Sequence, residues 1–92
     1  MRIANATVSD PVGFHLRAAG RIVKLTKVFT SEVTIRYNGR SANAKSIMGL
    51  ASLAAEYQTV VEVEVQGSDE EEALARIIEL IEVELGKPET VE

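Results

Sequence analysis

Cysteine and tryptophan are absent from the 92 residues, and histidine occurs once. Without cysteine there is no disulfide framework, no thiolate metal site and no Cys–His nucleophile. Two phenylalanines and two tyrosines (Phe14, Phe29, Tyr37 and Tyr57) are the only aromatics. They do not cluster, so the stacking surface of a nucleic-acid-binding α+β domain is missing. The six glycines never gather into a Walker-type phosphate loop. Met1-Arg2-Ile3-Ala4-Asn5 lacks the apolar core of a signal peptide, and no apolar run approaches a membrane span. A soluble cytoplasmic protein without membrane insertion is the expectation. With 46% hydrophobic and 26% charged residues, the composition is that of an ordinary globular chain. A single domain over 1–92 is expected, with 87–92 as a frayed tail.

Charge is present but unevenly placed. Residues 1–55 hold eight Lys/Arg against Asp10 and Glu32, whereas residues 56–92 hold twelve acids against Arg76 and Lys87. The net charge of −4 argues against nucleic acid as a direct ligand, because phosphate-backbone binding needs a broad basic surface. The basic half can instead steer an acidic or phosphorylated partner.

Residues 2–8 alternate, with Ala4, Ala6 and Val8 on one face, and the Asp10-Pro11-Val12-Gly13 loop follows. Residues 16–29 follow a helical period. Ala18, Ala19, Ile22, Val23, Leu25 and Phe29 form its apolar side, with Arg17, Arg21, Lys24 and Lys27 opposite or at its edge. A face of one sign has no acids for pairing along the helix, which points to a negative partner. Glu32–Tyr37 alternates with Val33, Ile35 and Tyr37 inward; Asn38-Gly39 is a strong hairpin signal, and Arg40–Asn43 returns. Lys45–Leu53 reads as a short helix with Ser46 as N-cap, although Gly49 inside it costs about 1 kcal/mol relative to alanine. Ile47, Leu50 and Leu53 or Ala54 should bury, leaving Met48 and Ala51 partly outward. Thr59–Gln66 alternates with Val61, Val63 and Val65 inward. Ser68-Asp69-Glu70-Glu71 reads as a capping box for a last helix. Leu74, Ile77, Ile78, Ile81 and Leu85 form that helix's buried stripe, with Gly86 and Pro88 as its stop. The order β-α-β-β-α-β-α implies a two-layer α+β sandwich: three helices on one face of a four-stranded, mainly antiparallel sheet.

His15 stands where the first helix begins, beside Arg17. Helix N-termini present unpaired N–H groups and a positive dipole end, which suits an anion. No acid can be placed beside His15 for a Ser–His–Asp triad. The carboxylates crowd into the other half, leaving no metal ligand set. What remains is a lone histidine as nucleophile and carrier.

Gly13-Phe14-His15-Leu16-Arg17-Ala18-Ala19 resembles the active-site motif of the histidine-containing phosphocarrier (HPr) family of the bacterial sugar phosphotransferase system. Six of its seven positions agree, and Ala18 stands where that pattern has proline. Asn43-Ala44-Lys45-Ser46-Ile47-Met48-Gly49 is similar to the regulatory-serine motif of the Gram-positive branch, and the likeness spans nearly the whole chain. It implies the HPr-like sandwich and a carrier rather than a stand-alone enzyme, with no cofactor and no metal. His15 would accept a phosphoryl group on Nδ1 from phosphorylated Enzyme I and pass it to sugar-specific enzyme IIA domains. Arg17 and the backbone N–H groups of Leu16, Arg17 and Ala18 would compensate its charge. Ser46 would be the target of an HPr kinase/phosphorylase, and the serine-phosphorylated form would partner a catabolite-control transcription regulator. Arg21, Lys24, Lys27, Met48 and Ala51 would form the docking patch. The alternatives are a purely regulatory binding module acting through Ser46, which the presence of His15 disfavours, and a nitrogen-branch or orphan phosphotransfer relative.

Overall fold

Asn38-Gly39 folds as its chemistry requires. Both residues take positive φ, +53° and +78°, the conformation of a two-residue hairpin turn whose twist matches its strands. It joins β2 (Glu32–Tyr37) to β3 (Arg40–Asn43) with Ile35 opposite Ala42. The computed structural model describes residues 1–87. In it β1 (Arg2–Thr7) and β4 (Val60–Gln66) complete one antiparallel sheet, in the order β1-β4-β2-β3. Ala4 pairs with Val63 and Val33 with Val65, so the inward residues of β1, β2 and β4 meet on one face. That face packs against α1 (Leu16–Thr26), α2 (Ile47–Leu53) and α3 (Glu70–Glu82). The architecture is the expected sandwich. The other face is open to solvent, with Arg36 bonded to Glu62 and Glu64 at 3.2 and 2.8 Å.

The core is built largely from aliphatic side chains: Ile22, Ile35, Leu50, Val61, Val63, Val65, Ile77 and Ile81 are all completely buried. Four details depart from the expectations above. First, α1 stops at Thr26, three residues early. The chain turns there through Val28 N–H to Leu25 O and Phe29 N–H to Thr26 O, so Phe29 reaches the core from outside the helix. Thr26 itself is fully buried, and its hydroxyl donates to Ala44 O at 2.8 Å, which satisfies it in an apolar setting.

Second, Ile47 does not bury. It is 41% exposed, and α2 turns Leu50 and Leu53 inward instead, with Ala54 left outside as a left-handed C-cap. Third, the Ser68–Glu71 capping box does not form. Asp69 is the N-cap of α3 without a side-chain cap bond, because its carboxylate reaches back to Thr30 N–H, Ser31 N–H and the Ser31 hydroxyl. Glu70 turns back instead to accept from Gly67 N–H at 3.1 Å, a bond that ties down the loop before the helix. Fourth, the buried stripe of α3 is Ala73, Ile77, Leu80 and Ile81, with Leu74 and Ile78 only partly covered. Leu85 buries from a separate 3-10 turn, Glu84–Gly86. Of the expected frayed tail, all but Lys87 lies outside the described residues, as does Pro88.

Candidate functional site

The loop between β1 and α1 is held from three sides. Ser9 bonds Ile81 O with both its N–H and its hydroxyl, at 3.0 and 2.6 Å. Asp10 opens a turn, in which Oδ1 accepts from Val12 N–H at 2.8 Å and the main-chain oxygen accepts from Gly13 N–H at 2.9 Å. Gly13 then adopts φ +82°, and a Cβ there would lie 2.3 Å from Ala55 O. Only glycine lets the chain pass, and immediately afterwards Phe14 N–H donates to that same Ala55 oxygen at 2.8 Å. Phe14 buries, which fixes where His15 emerges.

His15 is the N-cap of α1 in extended conformation, and its side chain makes no cap hydrogen bond. Its main-chain oxygen accepts from Ala19 N–H at 2.8 Å and so closes the first turn. The N–H groups of Leu16, Arg17 and Ala18 have no backbone acceptor among the described residues. Three free donors thus converge beside the imidazole at the positive end of a helix of 11 residues. Arg17 is exposed and has no ion-pair partner among the described residues, leaving its fork of donors free for an anion. Chemically this arrangement suits an anionic group held beside the ring.

One residue of the site was not anticipated. Asp10, only 5% exposed, places Oδ2 3.3 Å from His15 Nε2. Counting carboxylates by half of the chain put the acids away from the histidine, and that expectation is corrected here. Asp10 is one of just two acids in the basic half, and the turn that it starts folds it back under the ring. The turn chemistry of Asp10-Pro11-Val12-Gly13 was the available signal.

Ser46 caps α2 as expected, with Oγ accepting from Gly49 N–H at 3.1 Å. Gly49, unfavourable by propensity, is suited to that cap: a Cβ on it would sit 3.2 Å from Ser46 Oγ. Lys24 is exposed on α1, and Lys27 is exposed just beyond it as the C-cap. Met48 is 72% exposed and Ala51 is half-buried, both on α2, which packs beside α1. Arg21 is different. Its guanidinium donates to the carbonyls of Glu84 and Lys87 at 3.2 and 3.4 Å, tying α1 to the end of the described chain.

A family model described as "PTS HPr component phosphorylation site" matches residues 4–83, a span that contains every residue of this site. The chain belongs to the HPr family. It is a phosphocarrier component of the phosphotransferase system rather than a stand-alone catalyst. It is 42% identical over 76 residues to a phosphocarrier protein HPr of Xylella fastidiosa, covering 83% of this chain and 85% of that one. With an HPr of Cupriavidus necator the identity is 38% over 85 residues, covering 92% and 96%. The fold superposes on a crystal structure of HPr-C-His from Thermoanaerobacter tengcongensis with a TM-score of 0.88 at 32% identity, covering 97% of this chain and all of that one. Among the described residues, no helix is long and apolar enough to cross a membrane, and no three His, Asp or Glu side chains are grouped to hold a metal ion.

Proposed function

We propose that His15 accepts a phosphoryl group on Nδ1 from phosphorylated Enzyme I and passes it to sugar-specific enzyme IIA domains in the cytoplasm. The observation that carries this reading is the set of Leu16, Arg17 and Ala18 N–H groups, unpartnered among the described residues, beside an imidazole whose Nδ1 has no hydrogen-bond partner among them. An arriving phosphoryl group replaces its lost hydration with these donors and with Arg17, as charge compensation in phosphoryl transfer requires. Lys24, Lys27, Met48 and Ala51 form the surface around the site to which several acidic partners dock. Arg21 contributes its field but not a free guanidinium. The solvent position of Met48 suits a shared surface, because its side chain adapts to different shapes. The test is incubation with Enzyme I and phosphoenolpyruvate followed by intact mass. One acid-labile phosphoryl adduct is expected, absent from His15→Ala; no adduct on the wild type would refute the assignment.

Ser46 is the regulatory site in this reading, phosphorylated by an HPr kinase/phosphorylase. In that form the protein serves a catabolite-control transcription regulator. Its place at a helix start supports this, since a phosphate there meets the same dipole as the native cap. The added negative charge lands beside Met48 and the basic face and weakens docking of an acidic Enzyme I surface. Ser46→Asp should therefore slow phosphorylation of His15, and an unchanged rate would contradict the electrostatic account.

A further inference from the structure

The Asp10–His15 contact carries a role of its own. A carboxylate only accepts hydrogen bonds, and a neutral imidazole has one N–H and one bare nitrogen. With Asp10 Oδ2 3.3 Å from Nε2, the ring proton belongs on Nε2 and the lone pair on Nδ1. The carboxylate is not free to swing away. Oδ1 is held by Val12 N–H at 2.8 Å, the main-chain oxygen is held by Gly13 N–H at 2.9 Å, and its side chain is only 7% exposed.

We propose that Asp10 is a positioning residue for phosphoryl transfer, which fixes the Nε2–H tautomer of His15 and offsets the ring charge that develops when Nδ1 is phosphorylated. This rests on the assignment of His15 as the acceptor. In the step, the Nδ1 lone pair forms the P–N bond while the bond from phosphorus to the donor atom breaks, and that electron pair leaves with the donor. The ring then holds both the phosphoryl group and the Nε2 proton, so it bears a positive charge facing the Asp10 carboxylate. When the next acceptor attacks phosphorus, the P–N pair returns to Nδ1. The ring proton never leaves Nε2, so no external base or acid is needed at the histidine in either direction. The phosphoryl group and Asp10 sit on different ring nitrogens, which separates their like charges while each faces the ring.

The experiment uses the intact protein with 15N-labelled imidazole, in the wild type and in Asp10→Asn. Asparagine keeps the turn, because its amide oxygen still accepts from Val12 N–H, but it directs an NH2 donor towards Nε2. Ring nitrogen chemical shifts at a pH where the ring is neutral should show the wild type protonated at Nε2 almost alone. Asp10→Asn should shift population to the Nδ1–H form and lower kcat for phosphorylation by Enzyme I at least three-fold, with KM unchanged. A wild-type ring protonated at Nδ1 would overturn the proposal. So would an Asp10→Asn protein with unaltered tautomer, whether its rate is normal or slowed, since slowing alone is what a distorted loop produces. If the wild type takes no phosphoryl group, the assignment of His15 fails, and the tautomer measurement still decides what Asp10 does to the ring.

Discussion

Replacing Gly13 with alanine tests how the acceptor loop is braced, and Gly39→Ala is its internal control. The two glycines share nearly the same φ, +82° and +78°, yet a Cβ on Gly39 meets nothing within 4 Å whereas one on Gly13 lies 2.3 Å from Ala55 O and 3.1 Å from Glu56 Cα. Positive φ costs an alanine about 1–2 kcal/mol. Stiffening of the unfolded chain offsets about 0.4–1 kcal/mol of that at either position, because alanine leaves the unfolded chain fewer conformations than glycine does. Gly39→Ala should therefore lose no more than about 1.5 kcal/mol. At Gly13 the new methyl lies about 1 Å inside van der Waals contact. The loop must back away, which breaks the Phe14 N–H bond to Ala55 O, worth about 0.5–1.5 kcal/mol. Gly13→Ala should thus be about 0.5–1.5 kcal/mol less stable than Gly39→Ala. For a domain of this size that is a gap in Tm of about 2–12 °C. Guanidinium and thermal unfolding of the three proteins measure it, and phosphorylation by Enzyme I should fall for Gly13→Ala alone. Equal losses of stability at the two positions would refute the bracing by Ala55.

Asp69 supplies a pH signature: Ser31 O–H, then Thr30 and Ser31 N–H, hold its carboxylate from its ordinary 3.8 down to about 2. A depressed folded value stabilises above the unfolded one and is lost as pH falls, so the difference in Tm between wild type and Asp69→Asn should be full above pH 5 and shrink steadily between about pH 4 and 2; a constant difference would exclude the linkage. Ala18→Pro should fold and accept phosphate: among the described residues Ala18 N–H has no acceptor to lose at the third helical position, and the N–H groups of Leu16 and Arg17 remain for the phosphoryl group. Its stability should change by less than about 1 kcal/mol in chemical denaturation and its transfer rate only modestly; a large rise in rate would show that alanine at this place handicaps the site. Ser46→Ala should cost about 1 kcal/mol in unfolding free energy through loss of the α2 cap, and no loss would mean that Gly49 N–H finds water instead.

What could be read from the chain was what is decided locally. Asn38-Gly39, the Ser46 cap and the alternation of Val61, Val63 and Val65 depend on neighbours within a few residues, and all were legible. Ile47 was not: seven residues are two turns of helix, too few for periodicity to settle which side faces the sheet. Asp69 misled because its best partners, Thr30 and Ser31, lie 38 or more residues away and outcompete the local cap. Asp10 was hidden by a count of charge over long segments, which is blind to a turn that brings two residues five apart into contact. Propensity describes a residue's own stretch of chain; the errors arose where a side chain is claimed by another.

The brace at Ala55 also fixes when the site can exist. Phe14 N–H waits for Ala55 O, Val8 N–H for Thr59 O, and β1 for a partner strand that begins at Val60. Closing those long loops is an entropic cost met only when the second half of the chain is available. In a chain that lacks its second half, the His15 segment has none of these partners to hold it. The loop is complete only when β4 and then Ile81 of α3 are in place, because Ser9 N–H and its hydroxyl wait for Ile81 O. On the proposed assignment of His15, a phosphoryl donor that requires the folded loop thereby requires the whole chain.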